Sequence, residues 1–262
     1  MSERPYHLGF GSPQLPSGTT IALVSGDPAR SELIATEHLN GPEPLSRHRG
    51  LDAYLAHLAD GTPVVCATSG MGAPSMSIVA NELVQVGVRT LIRVGTAGSI
   101  QDHVRTGSVV IASGALADQG AADDIAPPRF PAVADPFLTV TMAEAAAELG
   151  IAHHVGVMAS VDTFYEGQER TSSSANPHLL RRLVGTIDEY RRLGVLNFEM
   201  EAGTLFKLAS VYGVSAGCVC AIIAQRSEAE APTDDEDERA AAVDGAIAVA
   251  VRTAERWAMR VR

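Results

Sequence analysis

Nine consecutive residues, Asp162-Thr163-Phe164-Tyr165-Glu166-Gly167-Gln168-Glu169-Arg170, bring an aromatic ring, a flat amide and a planar guanidinium close together, with Gly167 free to let the backbone turn between them. An amide presents one donor and one acceptor face, and a guanidinium presents donors only. With a ring to lie against, Phe164, Gln168 and Arg170 suit a flat heterocycle that carries both carbonyls and a ring N–H. The same residues also fit a polar surface turn around one buried Phe, so the stretch needs support from elsewhere in the chain.

Three other groups bear on that choice. Arg93 lies inside an apolar run, Leu91-Ile92-Arg93-Val94, where an unpaired cation is costly, so it needs a buried carboxylate or a bound anion. Thr96 follows between Gly95 and Gly98, an arrangement suited to backbone amides that face a phosphate. In Gly26-Asp27-Pro28-Ala29-Arg30, Asp27 is a good helix N-cap and Pro28 suits the first helical position. A helix start of that kind favours an anion, and Arg30 adds a charged fork; a well-capped helix accounts for the same residues. Glu199-Met200-Glu201 offers carboxylate oxygens that match the two donors of a vicinal diol, although acids also favour a helix start for their charge alone. The glycine turn at 69–75 ends in Ser75, and Arg93 and Thr96 stand where a dinucleotide site needs an acid, which excludes NAD.

The elements that must position these groups alternate. Apolar runs at 19–26, 63–70, 90–95, 107–114, 154–160 and 214–224 read as buried strands. Helical patterns fill 28–39, 74–87, 139–150, 199–213 and 236–260, with Gly150 and Gly213 ending two of them. Cleaner alternation at 51–61 predicts an antiparallel hairpin strand. Continuous apolar strands between amphipathic helices predict an α/β fold: one domain over 1–262, with a mixed central sheet covered by helices on both faces. In such sheets ligands sit beyond the carboxyl ends of the strands, where Gly26, Thr96 and Ala224 fall.

With 46% hydrophobic and only 5% aromatic residues, the core must be aliphatic. No apolar run reaches the ~20 residues of a membrane span, and the first residues lack the apolar stretch of a signal peptide. Cys66, Cys218 and Cys220 are an odd number in apolar stretches, which predicts reduced, packed thiols in a cytoplasmic protein and no zinc site. A net charge of −11 excludes a nucleic-acid partner and leaves an anionic substrate dependent on locally placed arginines.

Gly26-Asp27-Pro28-x-Arg30, Arg93-x-Gly95-Thr96-x-Gly98, the 162–170 stretch and Glu199-Met200-Glu201 together resemble, in order and spacing, the bacterial uridine phosphorylases of the nucleoside phosphorylase-I superfamily. The resemblance runs from His7 to Arg226. It implies a phosphate site of Gly26, Arg30, Arg93 and Thr96, joined by Arg49 of a neighbouring subunit. It implies a ribose site of Thr96, Glu199, Met200 and Glu201, with His7 of the neighbouring subunit at the 5′-hydroxyl. The base would lie against Phe164 and Ile223, with Gln168 at N3–H and O2, Arg170 at O4 and Arg226 supporting the pocket. Arg30, Arg93, Thr96, Gln168 and Arg170 would carry the catalysis, with inorganic phosphate as co-substrate and no cofactor or metal. Sites shared between subunits imply a dimer as the working unit and a hexamer of three dimers.

The implied reaction is reversible phosphorolysis of uridine, extending to 2′-deoxyuridine or thymidine. Purine-specific relatives carry an Asp after the strand at 214–224, where this chain reads Ala224-Gln225-Arg226. A purine nucleoside phosphorylase and a non-catalytic nucleoside-binding protein are the alternatives. Gly50 replaces a Glu common in relatives that bind potassium, so that ion is not expected. The acidic segment 227–239 reads as a solvated loop whose last acids open the final helix, or as a mobile flap over the base pocket.

Overall fold

A computed structural model describes residues 4–226, 230 and 232–260. Its strands are β1 (Ile21–Ser25), β2 (Asn40–Ser46), β3 (Ala53–His57), β4 (Pro63–Thr68), β5 (Thr90–Ser99), β6 (Val109–Asp118), β7 (Ala132–Val133), β8 (His153–Val161), β9 (Asn197–Glu199) and β10 (Ser215–Gln225). Its helices are α1 (Pro28–Glu37), α2 (Ala73–Gln85), α3 (Gly120–Ile125), α4 (Pro136–Glu148), α5 (Thr186–Arg192), α6 (Ala202–Tyr212) and α7 (Glu236–Arg260). One sheet runs β10-β6-β8-β9-β5-β1-β4-β3-β2, with β7 beside β6. Because β10 also pairs with β5, five of these strands close on themselves, and β1, β4, β3 and β2 extend from the ring as an open wing.

The strand residues explain the layering. Along β1, Ala22 and Val24 enter one apolar cluster with Met76, Val79, Leu205 and Phe206 of α2 and α6. Ile21 and Leu23 enter the opposite cluster with Ile34, Met142, Ile247 and Ala250 of α1, α4 and α7. Both faces are dry, so the strands read as continuous apolar runs. Trp257 fixes α7 to the sheet by donating its indole N–H to Thr90 Oγ1 at 3.0 Å.

The α/β fold with a mixed sheet is as expected, and three boundaries differ instructively. β5 continues past Gly95 to Ser99, because parallel pairing with β10 carries the backbone through Thr96, Ala97 and Gly98. The expected helix at 199–213 begins only at Ala202; Glu199 ends β9, paired to both β8 and β5. The hairpin strand at 51–61 is β3, antiparallel to both β4 and a β2 that the sequence did not announce. Asp27 caps α1 by accepting from the Ala29 N–H at 3.0 Å, with Pro28 in its first turn, and Gly213 closes α6 in the left-handed conformation. Cys66, Cys218 and Cys220 are buried and unbridged. Among the described residues no helix is long and apolar enough to cross a membrane.

Candidate active site

Beyond the carboxyl ends of β1, β5 and β10 opens a cavity of about 490 Å³, within the usual span for small-molecule sites. The β1–α1 junction contributes Gly26, Asp27, Pro28 and Arg30, and β5 contributes Arg93, Thr96, Ala97 and Gly98. Phe164, Gln168 and Arg170 come from the turn after β8, Phe198 to Glu201 from the β9–α6 junction, and Ile223 and Ala224 from β10. Met71 and Pro232 complete the wall.

At one end Arg93, almost wholly buried, finds its carboxylates. Its Nε donates to Glu199 Oε2 at 3.1 Å, and its Nη2 lies 2.5 Å from Glu201 Oε2. Burial alone would lower its pKa, but Glu201 and Glu199 outweigh burial and hold it raised and charged. Gly95 makes room for this fold-back: a Cβ there would stand 2.8 Å from Cys220 Sγ and 2.9 Å from Arg93 Nη2.

The two glutamates then divide. Glu199 accepts from Arg93 Nε, the Ser160 hydroxyl and the N–H groups of Glu201 and Ala202. That fills the roughly four acceptor positions of a carboxylate. Glu199 borders the cavity where a ribose contact is expected, and its oxygens here hold Arg93 and the start of α6. Glu201 receives Arg93 Nη2 and the Gly72 N–H at 2.5 Å, which leaves acceptor capacity toward the cavity. Burial, and then the Glu199 charge, raise the Glu201 pKa, opposed by Arg93 and the Gly72 and Met200 amides. Arg30 donates Nη1 to the Val94 carbonyl at 3.3 Å, and its buried Nε has no acceptor among the described residues. Burial lowers its pKa, with Asp27 opposing.

At the other end Arg170 stacks on Phe164, its guanidinium carbon 4.0 Å from the ring centroid, a cation–π contact. Its Nε donates to Gln168 Oε1 at 3.2 Å and its Nη1 to the Glu230 carbonyl. Burial, joined by the neighbouring Arg226 charge, pushes the Arg170 pKa down to about 10. One face of Phe164 is thus occupied by Arg170. Arg226 does not border the cavity; it donates Nη2 to the Gln168 carbonyl at 2.9 Å and holds the turn from behind. Gly98 permits that approach, since a Cβ there would sit 3.0 Å from Arg226 Cγ.

Of the expected site residues, Gly26, Arg30, Arg93, Thr96, Phe164, Gln168, Arg170, Glu199, Met200, Glu201 and Ile223 all line one cavity. Arg49 and His7 do not join them within the protomer. His7 Nδ1 lies 2.6 Å from Glu82 Oε1, beside a separate smaller cavity with Asn81 and Tyr212. Arg49, in the left-handed region, lies over Tyr6. Of the acidic segment, residues 227–229 and 231 lie outside the described residues. Pro232 reaches the cavity, the Glu230 carboxylate accepts from the Ser172 and Ser173 amides, and Glu236, Asp237 and Glu238 open α7.

Sequence reasoning missed Gln119, which donates Nε2 to the Met200 carbonyl at 2.6 Å and accepts from Thr204 at the start of α6. It also missed Ser160 beneath Glu199. Both lie far from their partners along the chain, and no local pattern marks them.

Residues 20–255 match the family model of the phosphorylase superfamily. The chain is 42% identical to a uridine phosphorylase of Klebsiella aerogenes, covering 87% of this chain and 88% of that relative. It is 38% identical to a uridine phosphorylase of Thermococcus kodakarensis, over 87% and 80%. It is 31% identical to a guanosine phosphorylase of Halorubrum lacusprofundi, over 82% and 84%. A match over most of the chain, joined to a cavity that gathers a guanidinium pair, the Glu201 carboxylate and an amide–guanidinium turn, means that the chain belongs to the phosphorylase superfamily, alongside the bacterial uridine phosphorylases.

Proposed function

We propose that the protein catalyses reversible phosphorolysis of uridine to uracil and ribose 1-phosphate, in the cytoplasm, in pyrimidine salvage. One observation carries the proposal: a single cavity holds anion donors at one end, a carboxylate with spare acceptors in the middle and an amide–guanidinium turn at the other. Phosphate lies against Arg30, Arg93 and Thr96, aligned mainly by proximity and orientation. Glu201 accepts from the ribose hydroxyls beside Met200. A phosphate oxygen attacks C1′ as the C1′–N1 bond breaks, and the base leaves with the bonding electron pair. Gln168 and Arg170 donate to the oxygens over which that charge spreads, a preorganised stabilisation that strengthens as charge develops.

Arg49 and His7 enter from a neighbouring copy, closing the phosphate and 5′-hydroxyl ends in a homodimer, with a hexamer of three dimers as the full assembly. Gln225 stands where a purine enzyme has an Asp, and its amide is already donating to the Gln101 carbonyl at 3.0 Å, which supports a pyrimidine base. Ala224 leaves room beside the base for thymidine or 2′-deoxyuridine. A panel of uridine, thymidine, 2′-deoxyuridine and inosine, incubated with and without phosphate, tests the proposal. Phosphate-dependent release of uracil, faster than release of hypoxanthine from inosine, is expected; binding without turnover, or inosine as the better substrate, overturns it.

A further inference from the structure

Glu169 has φ +47° and, with Arg49, is one of two non-glycine residues with positive φ among those described. An L side chain adopts that region reluctantly, and such residues persist where the surroundings over-determine them. Here the determinants are visible. Glu169 Oε1 accepts from the Gly185 N–H and Oε2 from the Ile187 N–H, both at 2.6 Å. The backbone around it is closed by Glu169 N–H donating to the Glu166 carbonyl at 3.1 Å and Arg170 N–H to the Tyr165 carbonyl at 2.7 Å.

The left-handed residue decides where its neighbours go. Gln168 and Arg170, on either side of Glu169, are both buried at the cavity wall, while the Glu169 side chain reaches away to the start of α5. That anchor is itself fixed: Gln101 donates Nε2 to the carbonyls of Arg191 and Val195, and Gln225 donates to the Gln101 carbonyl. The Glu169 charge also opposes the effect of burial on Arg226, which holds the same turn from behind.

We infer that Glu169 is the positioning residue of the base site: by clamping the turn to the Gly185 and Ile187 amides, it aims Gln168 and Arg170 together at the base. The inference rests on the reading of the cavity as a uridine site. Glu169 touches no substrate, so its removal moves base affinity and leaves the phosphate end alone.

The reverse reaction separates the two ends, because uracil and ribose 1-phosphate bind independently variable parts of the cavity. In Glu169→Gly the carboxylate is lost while φ +47° becomes free of strain, so a defect does not come from a strained backbone. Glu169→Gln keeps one acceptor oxygen and grades the effect. The uracil KM is expected to rise about tenfold in the glycine variant and less in the glutamine variant, a change equivalent to one lost hydrogen bond. The ribose 1-phosphate KM stays within about twofold of the parent. A uracil KM that does not move, or two KM values that rise by the same factor, overturns the clamp while the functional reading stands. Failure of the parent protein to make uridine from uracil and ribose 1-phosphate overturns both.

Discussion

The two ends of the cavity are built by different physical means. The end with Arg93 and Glu201, proposed for phosphate and ribose, stands on regular strands, β1 and β5 together with the end of β9, and balances its own charge: Arg93 sits between Glu199 and Glu201, both nearly buried. The end with Gln168 and Arg170, proposed for the base, stands on irregular backbone between β8 and α5, and places two buried guanidinium groups, Arg170 and Arg226, near one another. Their nearby acids, Glu169 and Glu230, spend their carboxylates on backbone amides. A closed charge network is rigid before any ligand arrives. A surplus of donors suits a group that becomes negative only as its bond breaks.

The contrast is sharpest in Arg93→Ala. Removing the cation leaves two buried carboxylates uncompensated, which costs about 3–5 kcal/mol of stability along with activity. Urea unfolding checks it, and an unchanged midpoint contradicts the network. Arg170→Ala acts oppositely: kcat falls by about 10²–10³, the scale of one lost transition-state donor, while the unfolding midpoint moves much less. Gly95→Ala comes next, because its Cβ would meet Cys220 Sγ and Arg93 Nη2 inside 3 Å. Overpacking of this kind costs about 1–3 kcal/mol, readable by thermal melting.

The smallest effects are in pH. If Arg170 stabilises the departing base as a cation, as proposed, kcat is expected to fall as pH rises through about 10. If Glu201 accepts from the diol, as proposed, it does so best while ionised, and because its pKa is raised the uridine KM is expected to climb on acidification at a pH above the ordinary carboxylate range. A pH series of kcat and KM shows whether the two limbs belong to the two ends. Loss of the alkaline limb in Arg170→Ala, with the acid limb kept, would confirm the assignment; loss of both would refute it.

Much of this was legible in the sequence because the chemistry-bearing residues are local in it. Asp27 and Pro28 announced the start of α1 by their capping chemistry, and Arg93 announced a buried partner by standing in an apolar strand. Gly167 announced a turn that brings Phe164, Gln168 and Arg170 to one wall. What stayed hidden depends on contacts between distant segments. Glu199 and Glu201 are near neighbours in the chain, and only the folded structure separates the saturated carboxylate from the available one. The extension of β5 through two glycines could not be foreseen either, since the pairing that sustains it comes from β10, more than a hundred residues later. Glu169 carried no signal at all, because its meaning lies in a backbone angle and in two amides of α5.

Phosphorus NMR of the protein with uridine and inorganic phosphate tests the central claim most directly. The ribose 1-phosphate resonance should grow as the inorganic phosphate resonance falls, one for one with uracil released. Uracil released with free ribose and an unchanged phosphate signal would contradict it, and so would no reaction at all.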